Sequence, residues 1–277
     1  MLINSAEQLT QTVAPDPQGW LAWAAKQAYA ATAHGAGRML TRVGLLPGAP
    51  PDRDRRLKHW LTSLTRVHDS LAIAELGVPW WTYRAIDVVD AWMLGRARPI
   101  RVFEYGSGAS TLWLAGRADE VISIEHHLGS SEVIGPALAA LPNVSFRVVE
   151  AAASEQPAIG SAKPGHTGMD FTAYVHAIDG CRGAFDMIVI DGRAREACLT
   201  AAAPRLSSDG MIVFDNSHRR RYRRAIRASG LHERKLPGLT PTLPYPDQTS
   251  LLSSGQRADR TAVPAAGSGH RPGELPG

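Results

Sequence analysis

From residue 100 onward, brief apolar runs alternate with longer stretches of helical spacing. Five runs rich in Val and Ile, at 100–105, 121–125, 144–150, 187–191 and 211–215, each meet polar residues at their carboxyl ends. Strands buried on both faces of a parallel sheet carry this pattern. Helices are expected between them at 110–116, 132–141, 194–206 and 219–229. Such a series predicts an α/β, Rossmann-like, doubly wound sheet with right-handed crossovers and helices on both faces. Two later runs, 231–236 and 248–253, flank a Pro-rich loop and are expected to close the sheet at seven strands. The long connection 151–184 predicts one short helix at 170–178.

The first 99 residues read differently. Ala- and Leu-rich spacing predicts a helix over 18–43, broken by the Pro- and Gly-rich stretch 47–51. A second helix is expected over 54–76, with Leu57, Trp60, Leu61, Leu64 and Val67 along one face, and a third over 83–94. The chain thus divides into a helical segment 1–99 (a lid, an interface for a second copy, or a brace), a ligand-binding domain 100–253, and a tail 254–277 expected to be disordered.

Composition narrows this little. The chain has 277 residues, 44% of them hydrophobic, enough for one α/β domain with a full core plus a modest lobe. The net charge of +4 comes from 30 basic against 26 acidic residues, a weak argument for an anionic partner. Cys181 and Cys198 are the only cysteines and form no metal-binding pair, which suits a reducing compartment. No secretory pattern opens the sequence and no apolar run reaches membrane-spanning length, so a cytoplasmic location without membrane partners is the expectation.

The turn after the first strand carries the chemistry. Glu104, Tyr105, Gly106, Ser107, Gly108, Ala109, Ser110 and Thr111 stand where ligands bind in open α/β sheets. The two glycines allow a tight bend and close approach to a ligand. A dinucleotide fingerprint wants a third small residue where Thr111 stands, and a carboxylate at Glu104 sits poorly against a pyrophosphate. Glu104 suits a cationic amine such as that of S-adenosylmethionine, which also carries a sulfonium. Glu125, closing the second strand, is placed to accept hydrogen bonds from two ribose hydroxyls. A purely structural glycine turn is the alternative.

With these residues in view, the segment 77–253 resembles the class I S-adenosylmethionine-dependent methyltransferases, in particular a bacterial branch of them. The resemblance lies in Pro79-Trp80-Trp81-Thr82-Tyr83, Phe103-Glu104-Tyr105-Gly106-Ser107-Gly108, Ile190-Asp191-Gly192-Arg193-Ala194-Arg195 and Gln248-Thr249-Ser250. It implies a cofactor held by Glu104, Gly106, Gly108 and Glu125, its methionine end near Ser110 and Thr111. It also implies adenine near Glu150 and Ala151, although Glu150 reads equally as a solvated strand end.

On the acceptor side, Asp191, Asp215 and Asn216 end neighbouring strands, and three oxygen donors of this kind suit Mg²⁺ or Ca²⁺. The arrangement is similar to that of cation-dependent catechol-type O-methyltransferases, in which the metal acidifies the attacked hydroxyl. Without a metal, Asp191 or His218 is the candidate general base. Trp80, Trp81 and Tyr83 either cap the site or simply pack. The cluster 218–224, Arg-rich and continued by Arg227, reads as a solvated helix face or as a phosphate-binding patch, and nucleic acid is not the expected partner. Arg193 and Arg195 are the better candidates for an anionic small-molecule acceptor such as a carboxylate or uronate. The expectation is methyl transfer to a small molecule, at oxygen. Its rivals are an aminopropyltransferase on the same fold and a non-catalytic cofactor- or RNA-binding protein using 219–224.

Overall fold

The computed structural model describes Met39 and residues 49–65, 73–161 and 165–255. Apart from Met39, the helix expected over 18–43 lies outside the described residues, as does the expected tail beyond Gly255. Among the described residues nine strands form in chain order: β1 (Arg101–Tyr105), β2 (Glu120–Glu125), β3 (Val144–Val148), β4 (Ala152–Ala153), β5 (Met169–Asp170), β6 (Phe185–Ile190), β7 (Leu206–Phe214), β8 (His232–Gly238) and β9 (Asp247–Ser253). Seven of them make one sheet in the order β3-β2-β1-β6-β7-β9-β8. The first five strands of that order run parallel, while β9 is antiparallel to both β7 and β8. The expected doubly wound, mostly parallel, seven-stranded sheet is the fold of the chain.

Alternation along the strands explains why both faces are buried. Val102, Val121, Met187, Val189, Met211 and Val213 share one apolar cluster with Trp81, Tyr83, Ile86 and Val89. Their neighbours Phe103, Tyr105, Ile124, Ile188, Ile190, Ile212 and Phe214 share the other, with Tyr174, Leu199 and Ile226. Successive strand side chains point to opposite faces, so a run of Val and Ile serves two cores at once.

The helices given in full among the described residues are α1 (Arg56–Ser63), α2 (Tyr83–Leu94), α3 (Ala109–Ala115), α4 (Leu128–Ala139), α5 (Thr172–Val175), α6 (Arg195–Ala202) and α7 (Arg223–Ala228). Several depart from expectation for local reasons. α4 starts four residues before the expected 132, because His127 caps it by accepting a hydrogen bond from Ser130 N at 3.1 Å. α6 ends at Ala202 rather than 206, and Pro204 turns the chain into β7. The expected 170–178 helix is instead the last residue of the β4–β5 hairpin, the short α5 and a 3₁₀ turn at His176–Gly180. A 3₁₀ turn at Arg220–Tyr222 precedes α7.

The second expected helix is also shorter than 54–76 and docks differently. In α1 the residues turned inward are His59, Thr62 and Ser63, while Leu57 and Leu61 remain exposed. Hydrogen bonds rather than an apolar stripe fix this helix. His59 Nδ1 meets the Tyr83 hydroxyl at 2.6 Å, Trp60 Nε1 donates to Leu243 O at 2.9 Å, and Thr242 N donates to Ser63 Oγ at 2.8 Å. The described part of the N-terminal segment therefore supports the loop between β8 and β9. Among the described residues, no helix is long and apolar enough to cross a membrane.

Candidate functional site

The strand order reverses between β1 and β6, and the crevice at their carboxyl ends is where open α/β sheets bind ligands. Gly106 bends the chain there with φ of +99°. A Cβ on it would lie 2.8 Å from Gly192 N, so no other residue fits. Gly192 is constrained from the opposite side, because a Cβ there would fall 2.0 Å from the Tyr174 hydroxyl. At Gly108 a Cβ would meet nothing within 4 Å, which leaves room for a ligand beside the backbone.

Glu104 lies beneath this turn rather than in the crevice. It is fully buried, and three hydroxyls donate to its carboxylate: Ser110 to Oε1, Thr111 to Oε2, and Ser123 to Oε2 at 2.7 Å. Burial pushes its pKa up to about 7, against the pull of the three hydroxyls. The carboxylate thus fastens the first turn of α3 to β1 and β2. Thr111 adds a second tie by accepting from Gly108 N at 3.0 Å. Ser110 and Thr111 lie close to Glu104 in sequence, whereas Ser123 reaches it only through the pairing of β1 with β2.

Glu125 does face the crevice. Ser107 N donates to its Oε2 at 3.1 Å, and the N–H groups of His126 and His127 donate to Oε1 at 2.9 and 2.8 Å. His126 Nδ1 also lies 2.8 Å from Oε1. Burial opposes ionisation, but His126 and these backbone donors outweigh it and hold Glu125 below the usual carboxylate range. The result is a fixed anion beside the glycine turn.

The crevice opens into a cleft of about 650 Å³ that brings together Gly106, Ser107, Gly108, Ser110, Glu125, Asp191, Asp215 and Asn216. Thr111, Glu104, Glu150, Ala151 and His218 are not on its wall. Glu150 is exposed just beyond β3, and Ala151 packs against the second apolar cluster. His126, Gly160, Ser161 and Asp247 line the cleft although sequence reasoning did not single them out. His126 directly follows Glu125, while Gly160, Ser161 and Asp247 are remote in sequence and carry no local motif.

Asp191 and Asp215 converge as expected, but a guanidinium stands between them. Arg195 Nη2 donates to Asp191 Oδ1 at 2.7 Å, and its Nη1 lies 3.7 Å from Asp215 Oδ2. Arg195 also donates to the backbone carbonyls of Asp191, Gly192 and Asp215. This arginine is consumed inside the protein and is not available to an anionic acceptor, which corrects the expectation for it. The donor set does not fit a divalent cation either. Arg195 already answers the two carboxylates, the Asn216 amide donates to Asp247 at 2.8 Å, and the described residues hold no metal-binding group of three His, Cys, Asp or Glu side chains. Burial, and then the neighbouring Asp191, raise the pKa of Asp215 well above the carboxylate range. Burial also raises that of Asp191, against the pull of Arg195.

The rim carries the remaining candidates. His218, half-exposed, pairs with Asp247 at 2.8 Å. Trp80 lines the cleft and donates to Thr242 at 2.6 Å, whereas Trp81 and Tyr83 are core residues. Arg193, Arg219 and Arg221 all reach the cleft wall. Three non-glycine residues adopt left-handed backbone among the described residues: Ala194, Asn216 and Thr242. The first two line the cleft and the third adjoins Leu243, which does. Such conformations cost free energy and cluster where a site over-determines them.

Solved structures similar to the chain include an rRNA methylase from Streptococcus thermophilus, 12% identical with a TM-score of 0.43, covering 61% of this chain and 96% of that one. A methyltransferase-like protein from Silicibacter pomeroyi is 21% identical with a TM-score of 0.40, covering 60% and 85%. A TehB-like SAM-dependent methyltransferase from Corynebacterium glutamicum is 15% identical with a TM-score of 0.42, covering 70% and 98%. No protein-family model matches the chain, and no curated protein matches it in sequence.

Proposed function

We propose that the cleft binds S-adenosylmethionine and directs methyl transfer to an oxygen of a small-molecule acceptor. The observation that carries this reading is the ionised Glu125 carboxylate, held by three backbone N–H groups and facing the cleft beside the glycine turn. Its remaining lone pairs suit a ribose diol. The open space at Gly108 admits the ligand beside the backbone.

The same features count against a dinucleotide. A pyrophosphate would sit over the first turn of α3, and the Glu104 carboxyl lies directly beneath that turn. An aminopropyl acceptor, being a polyamine, is disfavoured by the arginines on the wall. Bound in the cleft, the cofactor would supply an already activated methyl group, so positioning of the acceptor carries much of the work. Asp191 is the candidate proton acceptor. Arg195 holds its Oδ1, Oδ2 has no hydrogen-bond partner among the described residues, and the raised pKa brings it closer to working pH. His218 stands behind Asp247 at the rim and would act only through that carboxylate.

Calorimetry with S-adenosylhomocysteine tests the reading. Glu125→Ala removes charge-assisted hydrogen bonds worth about 1.5–3 kcal/mol, so affinity should fall roughly 10- to 100-fold. Glu150→Ala, off the cleft wall, should bind as the wild type does. Equal affinity in Glu125→Ala, or tighter binding of a nicotinamide dinucleotide, would remove the assignment.

A further inference from the structure

Four of the five carboxylates on the cleft wall have partners within the protein, Glu196 being the exception, whereas of its four guanidinium groups only that of Arg195 is ion-paired among the described residues. Glu125 is answered by His126 and backbone N–H groups, Asp191 and Asp215 by Arg195, and Asp247 by His218 and Asn216. Three further arginines stand on the same wall, two of them, Arg193 and Arg219, within electrostatic reach of Asp191. Arg219 is exposed, and its guanidinium has no hydrogen bond or ion pair among the described residues. Among the described residues Arg193 makes two hydrogen bonds, each at 3.4 Å, to His166 and to the Gly192 carbonyl, and no ion pair. Arg221 is oriented without an ion pair among the described residues: Nη2 donates to the Tyr222 hydroxyl at 3.0 Å, and its guanidinium lies 4.8 Å over the Tyr222 ring. Tyr222 is itself buried against Phe214, with ring centroids 5.2 Å apart. The cationic fork therefore rests on a core side chain.

From this arrangement we infer that the acceptor carries an oxyanion, a carboxylate or a phosphate, which Arg193, Arg219 and Arg221 grip while Asp191 faces the reacting oxygen. The inference rests on the methyl-transfer reading for the location of the acceptor. Guanidinium forks match carboxylate and phosphate oxygens two at a time, so they orient the ligand as well as attract it. A concave site of about 650 Å³ suits a cofactor and a small acid better than a polynucleotide.

The test is calorimetric titration of inorganic phosphate, and separately succinate, into the wild-type protein at low salt, with and without S-adenosylhomocysteine. One of the two anions should bind with one-to-one stoichiometry, and the stronger of them names the class. In the Arg219→Ala/Arg221→Ala double variant that affinity should fall at least about tenfold, while S-adenosylhomocysteine binding changes less than about twofold. Unchanged anion affinity in the double variant, or no anion binding to the wild type, overturns the proposal. So does tight binding of a single-stranded RNA oligonucleotide that displaces the anion and is lost in the variant. Failure of S-adenosylhomocysteine to bind the wild type sinks the cofactor reading instead, and the titration without it then judges the anion site alone.

Discussion

At the scale of single residues, Glu104 shows how a motif is legible while its job is not. The position of a carboxylate before a glycine turn can be read in the chain, and a cationic ligand is the natural expectation for it. Folding instead surrounds the group with Ser110, Thr111 and Ser123, which converge only when β1, α3 and β2 are in place. A measurable pH dependence follows. The folded-state pKa is raised to about 7 from 4.5, so the folded protein keeps a proton that the unfolded chain releases. Stability contributed by this group is full below pH 4.5, declines as pH rises toward 7, and is level above, a change on the order of 3 kcal/mol. Glu104→Gln cannot ionise, so urea midpoints of wild type relative to this variant should fall between pH 4.5 and 7.5. A constant difference across that window would show that the carboxyl is not the titrating group.

Among elements, the pairing that shapes the cleft is that of β6 with β7. Parallel strands diverge at their carboxyl ends once the ladder stops, and Arg195, from the first turn of α6, ties these two ends together. Its guanidinium reaches three carbonyls and both aspartates. Removing one partner of a buried charge set leaves the others uncompensated, at a cost of about 3–5 kcal/mol. Arg195→Met is expected to lose stability of that size in chemical denaturation, and adding Asp215→Asn should restore part of it. An unaltered midpoint would mean that the strand ends hold without the staple. The strands themselves were legible because two-sided burial demands Val and Ile. The choice between Arg193 and Arg195 was not. Both line the cleft, and the left-handed backbone at Ala194 separates the one that turns inward from the one that does not.

For the whole molecule, the doubly wound, mostly parallel sheet of seven strands followed from the succession of elements, but the placing of β9 between β7 and β8 did not, and neither did the cleft. Its walls draw on residues from β1 to β9, and the loop that carries Leu243 and Tyr245 is supported by α1, nearly two hundred positions away in sequence. Distance in the chain, rather than weak local preference, hid that contact. The crossing of the two turns under the cleft also bears on how this chain can change over time. The Tyr174 hydroxyl occupies the place of a Gly192 side chain and has no hydrogen-bond partner among the described residues. Phenylalanine at 174 should therefore be nearly neutral, whereas Gly192→Ala alone should unfold or badly weaken the protein. With the phenolic oxygen gone, the nearest ring carbon stands 3.1 Å from the new methyl, a distance small shifts can relieve. A double-mutant cycle followed by thermal melting should show Tyr174→Phe rescuing much of the loss. Lineages can then cross from one pairing to the other in a single order, aromatic first and methyl second.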